Sequence, residues 1–571
     1  MQYIRQDCVL TEAAVFFIVN FTKLLRFQVD YDTLYPKQII LRRMVMDIRR
    51  NVVLILVDQL RPDFIGPYGA DFIRTPNLDK LAAEGVTFDN AIAASTVCAP
   101  SRASILTGQF VSGHDGWTNN IPCKDGTEYL PERLNAAGYM TAAVGCYDHA
   151  PFGNPIGYRY LKIFEENQPG CKYLEDLRKK YPDARVYAEN DGTMHFKYPE
   201  EVFYDRWNCD LATEFIASYT QNGVAPDGTK PDEEDAPFFL YCGFLSPHTP
   251  LTPPHGLEDM VDEDKIPPVL TTHREDIASV EKYRRAFLNS HEDLVNPEAA
   301  IPRRMKERKA YCELIAEVDT LVGRIVQSLK DNGIYENTTI FFSSDHGSVD
   351  TDYNVVTKGP WPYRSQLFVP LIVANDPSVY SGSRSDCLCG NIDIGGTVLD
   401  IAGDHKAFGV SRSLIGMSDG RVPEREVHMS EFCDACKTLI DKQYTFTYYP
   451  FTGETCLYDR KNDPLETVNL GGKPEYADIE RKFLMDVIDF MCIAKGVRLE
   501  AHDLTPEIRS GIEKKHPKFL DSFDIAYPLS SWREVERIAE AGLDPDYNEF
   551  CREREIKAHY GVYFHKEKPK N

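Results

Sequence analysis

NVVLILVD, residues 51–58, is an almost continuous apolar run, rich in β-branched residues, that ends on the carboxylate of Asp58. A run of this kind is typical of a strand buried on both faces of a sheet. FFLYCGF (238–244) and TTIFFSS (338–344) are similar runs, and each is followed by polar residues. We therefore predict three buried strands whose ends carry functional side chains.

Helices are predicted between these strands from apolar spacing and from terminal residues. TPNLDKLAAEG (75–85) begins with an N-cap threonine and a first-turn proline, and Gly85 is predicted as its C-cap. Apolar residues recur at three- and four-residue spacing across 314–329, and Gly333 ends that pattern. Alternating strands and helices predict an α/β fold, with a mostly parallel sheet and helices on both faces.

Residues whose side chains can take part in catalysis or ligand binding follow each predicted strand. Asp58, His248 and the pair Asp345 and His346 all lie just past a strand's carboxyl end. Ligands of such sheets bind in the crevice beyond the carboxyl ends of the strands. Residues spread over nearly 290 positions are therefore expected to meet in one crevice, which favours an enzyme.

Four segments are predicted along the chain. Residues 48–424 form the catalytic α/β domain, preceded by an N-terminal extension (1–47). Short, aromatic, alternating runs and a helix then predict a smaller antiparallel sheet with a helix over 425–500. Residues 501–571 are predicted to be an arm that packs on the body or joins a homo-oligomer. The apolar stretch 9–21 is too short to span a bilayer, so no membrane segment is expected.

The net charge and the cysteine content limit the kinds of binding partner and the location that we expect. The chain has 64 Lys and Arg against 88 Asp and Glu, a formal net charge of −24. This balance argues against a nucleic-acid partner and against docking on anionic lipid, because both require a basic face. It leaves a small anionic substrate open. The 15 cysteines form no compact disulfide framework, so we expect mostly buried or free thiols and a cytoplasmic location.

CAPSRASILTG (98–108) places Cys98 at the start of a predicted helix, with Arg102 one turn on. The positive end of the helix dipole favours an anion bound or formed there. Three interpretations remain open from the residues alone. Cys98 is a thiolate nucleophile with a lowered pKa, part of an anchor for an anionic substrate, or a buried structural cysteine.

The same stretch resembles the signature of the type I sulfatases, Cys-x-Pro-Ser-Arg followed by Leu-Thr-Gly. The resemblance covers about residues 51–470 and implies an alkaline-phosphatase-like α/β fold with a smaller C-terminal sheet. It also implies that a maturation enzyme oxidises Cys98 to formylglycine, whose hydrated aldehyde supplies the attacking hydroxyl. The further stretches that carry it are LVDQLRPD (56–63), TPNLDKLAAEGVTF (75–88), FLSPHTPL (244–251), SSDHG (343–347), KGPWPYRSQLFVPLIV (358–373) and LYDRKNDPLETVNL (457–470).

A divalent cation is part of what the resemblance implies. Its ligands would be Asp58, Gln59, Cys98, Asp345 and His346. Calcium is the expected ion, since hard cations take oxygen ligands. Gln59 stands where many members carry a second Asp, and His346 where many carry Asn, so manganese stays open.

The remaining roles are carried over by the same resemblance. Arg102 and Lys358 would stabilise the diol and the charge of the transferring group. His248 would contact the leaving-group oxygen and protonate it, because an imidazole titrates near neutral pH. Asn119 would bind the substrate oxygens, with Asn120 as its close competitor.

VGCYDHAP (144–151) departs from the family pattern. Most sulfatases carry Gly-Lys-x-His here, whereas this chain has Cys146 at the Lys position and Asp148 at the His position. His149 lies one residue late and is predicted to bind substrate, but nothing replaces the lysine. Relatives that vary this segment include the phosphonate monoester hydrolases.

Four functions are therefore weighed. The first is a sulfatase that acts on the sulfate monoester of a small or sugar-type substrate. The second keeps the nucleophile and metal but hydrolyses phosphonate monoesters or phosphodiesters. The third is a catalytically silent sulfatase-like protein that binds an anion or a partner. The fourth, a thiol hydrolase using Cys98 and His248, would leave the nearby carboxylates without a purpose.

Overall fold

The computed structural model describes residues 49–119, 121–149, 153–164, 171–270, 278, 297–349, 352–354 and 358–494. The predicted N-terminal extension, the C-terminal arm and Asn120 lie outside the described residues, so those predictions stay predictions. No helix of the described residues is both long and apolar enough to cross a bilayer. No disulfide joins the cysteines of the described residues.

The main sheet of the described chain has eight strands. They are β1 (Asn51–Val57), β2 (Gly85–Ile92), β3 (Met140–Cys146), β4 (Tyr160–Phe164), β5 (Phe238–Phe244), β6 (Thr338–Ser344), β7 (Leu371–Ala374) and β8 (Ser383–Gly390). Their order is β4-β3-β5-β1-β6-β7-β2-β8. Every pair is parallel except those of β7, which runs antiparallel to both neighbours. The prediction of a mostly parallel sheet is confirmed.

Helices connect the strands and cover the sheet. They are α1 (Pro76–Ala83), α2 (Cys98–Thr107), α3 (Val111–His114), α4 (Leu130–Ala136), α5 (Lys172–Lys180), α6 (Tyr204–Asn222), α7 (Ile301–Asp331), α8 (Arg364–Leu367), α9 (Asp393–Ile401), α10 (Leu414–Ser418) and α11 (Ala477–Ala494). Helix α7 is the predicted amphipathic helix, and the chain turns after it at Gly333, where φ is +70°.

The prediction that Gly85 caps α1 is wrong. The helix ends at Ala83, and Gly85 is the first residue of β2. A Cβ at this position would lie 2.3 Å from the carbonyl oxygen of Val373 in the neighbouring strand. Close strand pairing, and not a helix terminus, therefore requires the glycine here.

Strand β1 contributes to two hydrophobic cores because its side chains alternate between the faces of the sheet. Val53 and Ile55 pack on one face with residues of α1, α6 and α7. Leu54 and Leu56 pack on the other with residues of α2, α4 and α9. Full burial of one such side chain stabilises the fold by about 1.5–3 kcal/mol. Helices thus cover both faces, as the continuous apolar run predicted.

A second, antiparallel sheet follows the main one. Its strands are β9 (His428–Phe432), β10 (Cys436–Ile440), β11 (Tyr444–Tyr449) and β12 (Glu454–Asp459). Helix α11 packs against it, with the rings of Phe446 and Phe483 stacked 5.3 Å apart. The predicted small sheet and helix are both present, but CKTLI, which forms β10, was not recognised as a strand. Its first residues are a cysteine and a lysine, which blur the apolar pattern.

The parallel register brings the ends of the central strands together. Val57 pairs with Phe244 of β5 and Ser344 of β6, and the Asp345 amide donates to the Val57 carbonyl over 3.1 Å. Asp58, Asp345 and the loop after β5 therefore share one edge of the sheet. Gly243 lets β3 approach this edge, because a Cβ there would lie 1.8 Å from the carbonyl oxygen of Cys146.

Candidate active site

Helix α2 presents Cys98 to this edge of the sheet. All ten residues of α2 are buried, and Cys98 is the first of them. The Ala99 amide donates to Oδ1 of Asn119 over 3.0 Å, which satisfies one of the free N–H groups at the helix start. Asn119, predicted to bind substrate oxygens, thus lies beside the nucleophile position and holds the helix N-terminus.

Four buried side chains surround the thiol. Sγ of Cys98 lies 2.6 Å from Nζ of Lys358 and 3.3 Å from Nε2 of His346. It lies 3.6 Å from Oδ1 of Asp58. Asp58, Cys98, Asp345 and His346 offer metal-ligand atoms that all lie within 4.8 Å of one another. We call these four residues and Lys358 the Cys98 cluster.

Arg102 holds the two carboxylates of the cluster in place. Its Nη2 donates to Asp58 over 3.0 Å and its Nε donates to Asp345 over 3.1 Å. Its Nη1 donates to the hydroxyl of Tyr241 and to the Cys146 carbonyl. The guanidinium is fully buried. Although the resemblance implied contact with the transferring group, these donors are directed at the carboxylates, so Arg102 is a positioning residue.

The two carboxylates lie close enough to change each other's ionisation. Burial and the charge of Asp345 raise the pKa of Asp58 well above its usual range. The pKa of Asp345 is lowered despite its burial, because the positive charges of Arg102 and Lys358 and the hydrogen bond from the Gln59 amide favour the ionised form. A divalent cation between the carboxylates would offset both the burial and the repulsion.

The ring of His346 is oriented as a metal ligand. Its Nδ1–H donates to the Gly347 carbonyl over 2.7 Å. The Nε2 lone pair therefore faces Cys98, and Nε2 lies 3.9 Å from Oδ1 of Asp58. A carbonyl on the second ring nitrogen is the usual support of a metal-bound histidine. The residues present therefore fit a divalent cation.

Gln59 is tied to the same site by its backbone. Its φ of +69° turns the chain away from β1, and its amide donates to Asp345 over 3.1 Å. The side-chain Nε2 donates to Ser348 over 3.2 Å. Only Oε1 of Gln59 is therefore left as a ligand atom for a cation.

Lys358 links the thiol to His248. Its Nζ lies 2.6 Å from Sγ of Cys98 and 3.2 Å from Nε2 of His248. The other ring nitrogen of His248, Nδ1, is bonded to the Thr249 carbonyl, so Nδ1 carries the proton. Burial and the Lys358 charge lower the pKa of His248 well below its usual value. The available proton of this pair is therefore on Lys358.

The structure does not bring His149 into the Cys98 cluster. Its Nε2 lies 3.4 Å from the hydroxyl of Tyr129, and its ring packs edge-on against Tyr129 and tilted against Tyr147. Burial lowers the pKa of His149 to about 4. Its hydrogen-bond and ring partners in the described chain are tyrosines. The predicted contact of His149 with substrate stays a prediction.

Asp148 and Cys146 define the part of the site that departs from the family pattern. Asp148 has a left-handed backbone with φ of 47°, and its charge contributes to the raised pKa of both Asp58 and Cys98. Cys146 is buried in a hydrophobic cluster with Phe164 and Leu245. Asp148 and Cys146 thus stand at the positions where the family pattern of most sulfatases has His and Lys.

Two supporting residues were missed by sequence reasoning. The Tyr241 hydroxyl accepts from Arg102 and donates to the Cys146 carbonyl over 3.1 Å. Asp205, at the start of α6, accepts from the amides of Leu245 and Ser246 over 2.9 and 2.8 Å and so holds the loop that carries His248. A tyrosine in the middle of a strand buried on both faces was the available signal for Tyr241. No local pattern marked Asp205.

Comparison with known proteins identifies a family model and similar chains. The family model described as Sulfatase matches residues 50–404. An arylsulfatase from Clostridium perfringens is 28% identical over 482 residues, which cover 77% of this chain and 94% of that protein. The multifunctional alkaline phosphatase superfamily protein PehA from Trinickia caryophylli is 26% identical over 505 residues, covering 77% of this chain and 95% of PehA.

Solved structures show the same fold. The phosphonate monoester hydrolase of Agrobacterium radiobacter superposes with a TM-score of 0.64 at 23% sequence identity. The match covers 78% of this chain and 96% of that one. The predicted alkaline-phosphatase-like fold with a smaller C-terminal sheet is confirmed.

We expect Tyr241→Phe to destabilise the protein by about 1.5–3 kcal/mol, because it removes a hydrogen bond to a buried guanidinium. The matched control is Tyr219→Phe, whose hydroxyl donates to the neutral carbonyl of Ala236 over 2.9 Å. The control should cost about 1 kcal/mol. Denaturant unfolding measures both variants. Equal losses would show that the Tyr241 hydroxyl adds no support to Arg102.

Proposed function

Because the chain belongs to the sulfatase family, we propose that it is a metal-dependent hydrolase of sulfate monoesters whose nucleophile is a formylglycine formed from Cys98. One observation carries the proposal. Lys358, His346 and Asp58 all reach Sγ of Cys98 within 3.6 Å in a buried site. The candidate metal ligands surround the side chain of residue 98. This arrangement suits a nucleophile that also binds the cation.

An unmodified Cys98 fits this site poorly. Burial and the Asp58 charge raise the pKa of the thiol well above its usual value. The neutral thiol is a weak nucleophile, since the thiolate is the reactive form. In its oxidised form residue 98 would supply a hydrated aldehyde, and a cation held by Asp58, Asp345 and His346 would supply polarisation of the ester oxygens and a lower pKa of the attacking hydroxyl.

The protein's own groups perform the remaining work. Lys358 keeps a positive charge beside residue 98 and donates there, which stabilises negative charge that develops on the transferring group. It also donates to Nε2 of His248, whose ring is fixed by the Thr249 carbonyl. This hydrogen bond orients the ring of His248, the residue proposed to contact the leaving-group oxygen.

The charge of the site favours an ester with a single negative charge. Asp58 and Asp345 are matched by the cations Arg102 and Lys358 within the described cluster. A divalent cation then leaves the centre positive, and Asp148 reduces that surplus. A sulfate monoester carries one negative charge, whereas a phosphate monoester near neutral pH carries nearly two. Phosphate monoesters are therefore the poorer match.

A phosphonate monoester or phosphodiester is the second candidate, and one observation favours it. Cys146 lies in an apolar cluster and supplies no cation where most sulfatases carry a lysine. These esters also carry one negative charge, so the charge argument does not separate them from sulfate monoesters. A silent binding protein is less well supported, because the described site keeps Asp58, Arg102, Asp345 and Lys358 together.

We expect protein from a host that forms formylglycine to hydrolyse an aryl sulfate faster than an aryl phosphate. Cys98→Ala should lower this rate by several orders of magnitude, because it removes the nucleophile. The exposed Cys492 offers the matched control, and Cys492→Ala should keep the rate. Steady-state kinetics on aryl sulfate, aryl phosphonate monoester and aryl phosphate measure the order. A preference of about 10³-fold for the phosphonate monoester would overturn the sulfatase proposal.

We further propose that Mn²⁺ fits the Cys98 cluster better than the expected Ca²⁺, because one ligand is the imidazole of His346. After chelation and dialysis, Mn²⁺ should restore more activity than Ca²⁺ at equal concentration. His346→Asn should reduce the advantage of Mn²⁺, since an amide oxygen suits a harder cation. Activity titrations with each ion measure the order. Better restoration by Ca²⁺ in the original protein would favour calcium.

A further inference from the structure

Three segments of the described chain meet at a second cluster of ligand-type side chains. A turn across 190–196 is closed by the Asp191 amide, which donates to the His195 carbonyl over 2.9 Å. The Phe196 amide donates to Pro253 over 2.9 Å and so joins this turn to the loop after β5. That loop carries His255 and Glu258. Helix α7 contributes Glu313.

The atoms of this cluster converge. Nε2 of His195 lies 3.5 Å from Oε2 of Glu313 and 3.8 Å from Oε1 of Glu258. Nδ1 of His255 also lies 3.8 Å from Oε1 of Glu258. The two imidazole rings are stacked with centroids 4.3 Å apart. His195, His255 and Glu258 thus offer ligand atoms within 4.8 Å of one another.

Asp191 fixes which nitrogen of each histidine carries a proton. It accepts from Nε2–H of His255 over 3.0 Å, so Nδ1 of His255 keeps a lone pair. It also accepts from the Thr193 hydroxyl over 2.5 Å. That hydroxyl has no second proton, so Nδ1–H of His195 donates to it over 3.2 Å. Both imidazole lone pairs therefore face the carboxylates of the cluster.

Glu313 is the independent sign that a cation belongs between these groups. The residue is only 3% exposed, and its Oε1 has no hydrogen-bond partner among the described residues. Nε2 of His195 is likewise buried without a hydrogen-bond partner there. A buried carboxylate that faces an imidazole lone pair has two acceptors and no donor, which is unfavourable without a positive charge between them.

Lys309 does not supply the positive charge between Glu313 and His195. Lys309, one turn before Glu313 on α7, donates to Glu263 over 2.6 Å. Glu258 is turned toward the cluster, because its Oε2 accepts from the Gly256 amide over 3.0 Å and leaves Oε1 facing the imidazoles.

We propose that His195, His255, Glu258 and Glu313 bind a divalent transition metal of the zinc type, separate from the cation of the Cys98 cluster. Two imidazole nitrogens and carboxylate oxygens are ligands that zinc prefers, and Asp191 supplies the outer support usual for metal-bound histidine. The two rings are stacked with an interplanar angle of 13°, so they tilt toward each other when both bind one ion. His255 is exposed, so the ion exchanges with solvent.

The ion would connect the 190–196 turn, the loop after β5 and helix α7. The same loop begins with His248, so the site supports the segment that carries the leaving-group histidine. This role does not depend on whether the substrate is a sulfate or a phosphonate ester. The site is therefore structural, and its loss should lower stability without removing the nucleophile or the ligands of the Cys98 cluster.

The test compares zinc binding by the original protein with that by a His255→Asn/Glu258→Gln double variant. Both are stripped with chelator and titrated with Zn²⁺, and bound metal is counted by mass spectrometry of the element. We expect the original protein to bind one equivalent more than the double variant. Zinc should also raise its thermal midpoint, and this rise should be absent in the double variant. The matched control is His405→Asn, whose ring bonds Asp400 over 2.9 Å at an exposed position.

The control should keep the extra equivalent. Because the Cys98 cluster is unchanged in all three proteins, metal bound there cancels in the comparison. Glu313→Gln provides a second variant and should weaken zinc binding by about 10-fold or more. Equal zinc counts and equal thermal shifts in the original protein and the double variant would overturn the proposal. The proposal would also be overturned if the His405→Asn control lost the extra zinc equivalent while the double variant kept it.

Discussion

The buried pairing of Arg102 with Asp58 and Asp345 is the interaction on which the rest of the site depends. The two carboxylates come from the ends of adjacent strands, β1 and β6, and face each other away from water. One planar guanidinium donates to both, which compensates part of their repulsion and fixes their outer oxygens. Oδ1 of Asp58 then lies 3.6 Å from Sγ of Cys98, and Oδ1 of Asp345 accepts from the amides of Gln59 and His346. Breaking such a buried pair by removing one partner commonly costs about 3–5 kcal/mol.

The fold explains why the arginine can reach both carboxylates. Parallel pairing of β1 with β6 places Asp58 and Asp345 at one edge of the sheet, and α2 begins above that edge with Cys98. Arg102 follows one turn later, so the nucleophile position and the guanidinium share a helix face. Tyr241 on β5 then bonds the same guanidinium from the other neighbouring strand. The signature at 98–108 thus places the nucleophile and the arginine that binds both carboxylates on one face of a helix.

Much of this arrangement could be predicted from sequence because it depends on local patterns. The apolar runs of β1, β5 and β6 define buried strands, and Asp58 follows directly from where the first run stops. Long-range packing was harder to predict from the sequence. Strand β7, which runs antiparallel to its neighbours in the main sheet of the described residues, is only four residues long, and no pattern in LIVA indicates its direction. His149 is predicted near substrate from its chain position, and its contact with Tyr129 could not be read from the sequence.

The central claim is that residue 98 works as an aldehyde hydrate held beside a cation, and not as a thiol. The direct measurement is mass spectrometry of the peptide that contains residue 98, from protein purified out of its native host, denatured and treated with iodoacetamide. We expect the mass of formylglycine at this position and no alkylation there. A fully alkylated Cys98 in protein that still turns over its ester would contradict the account.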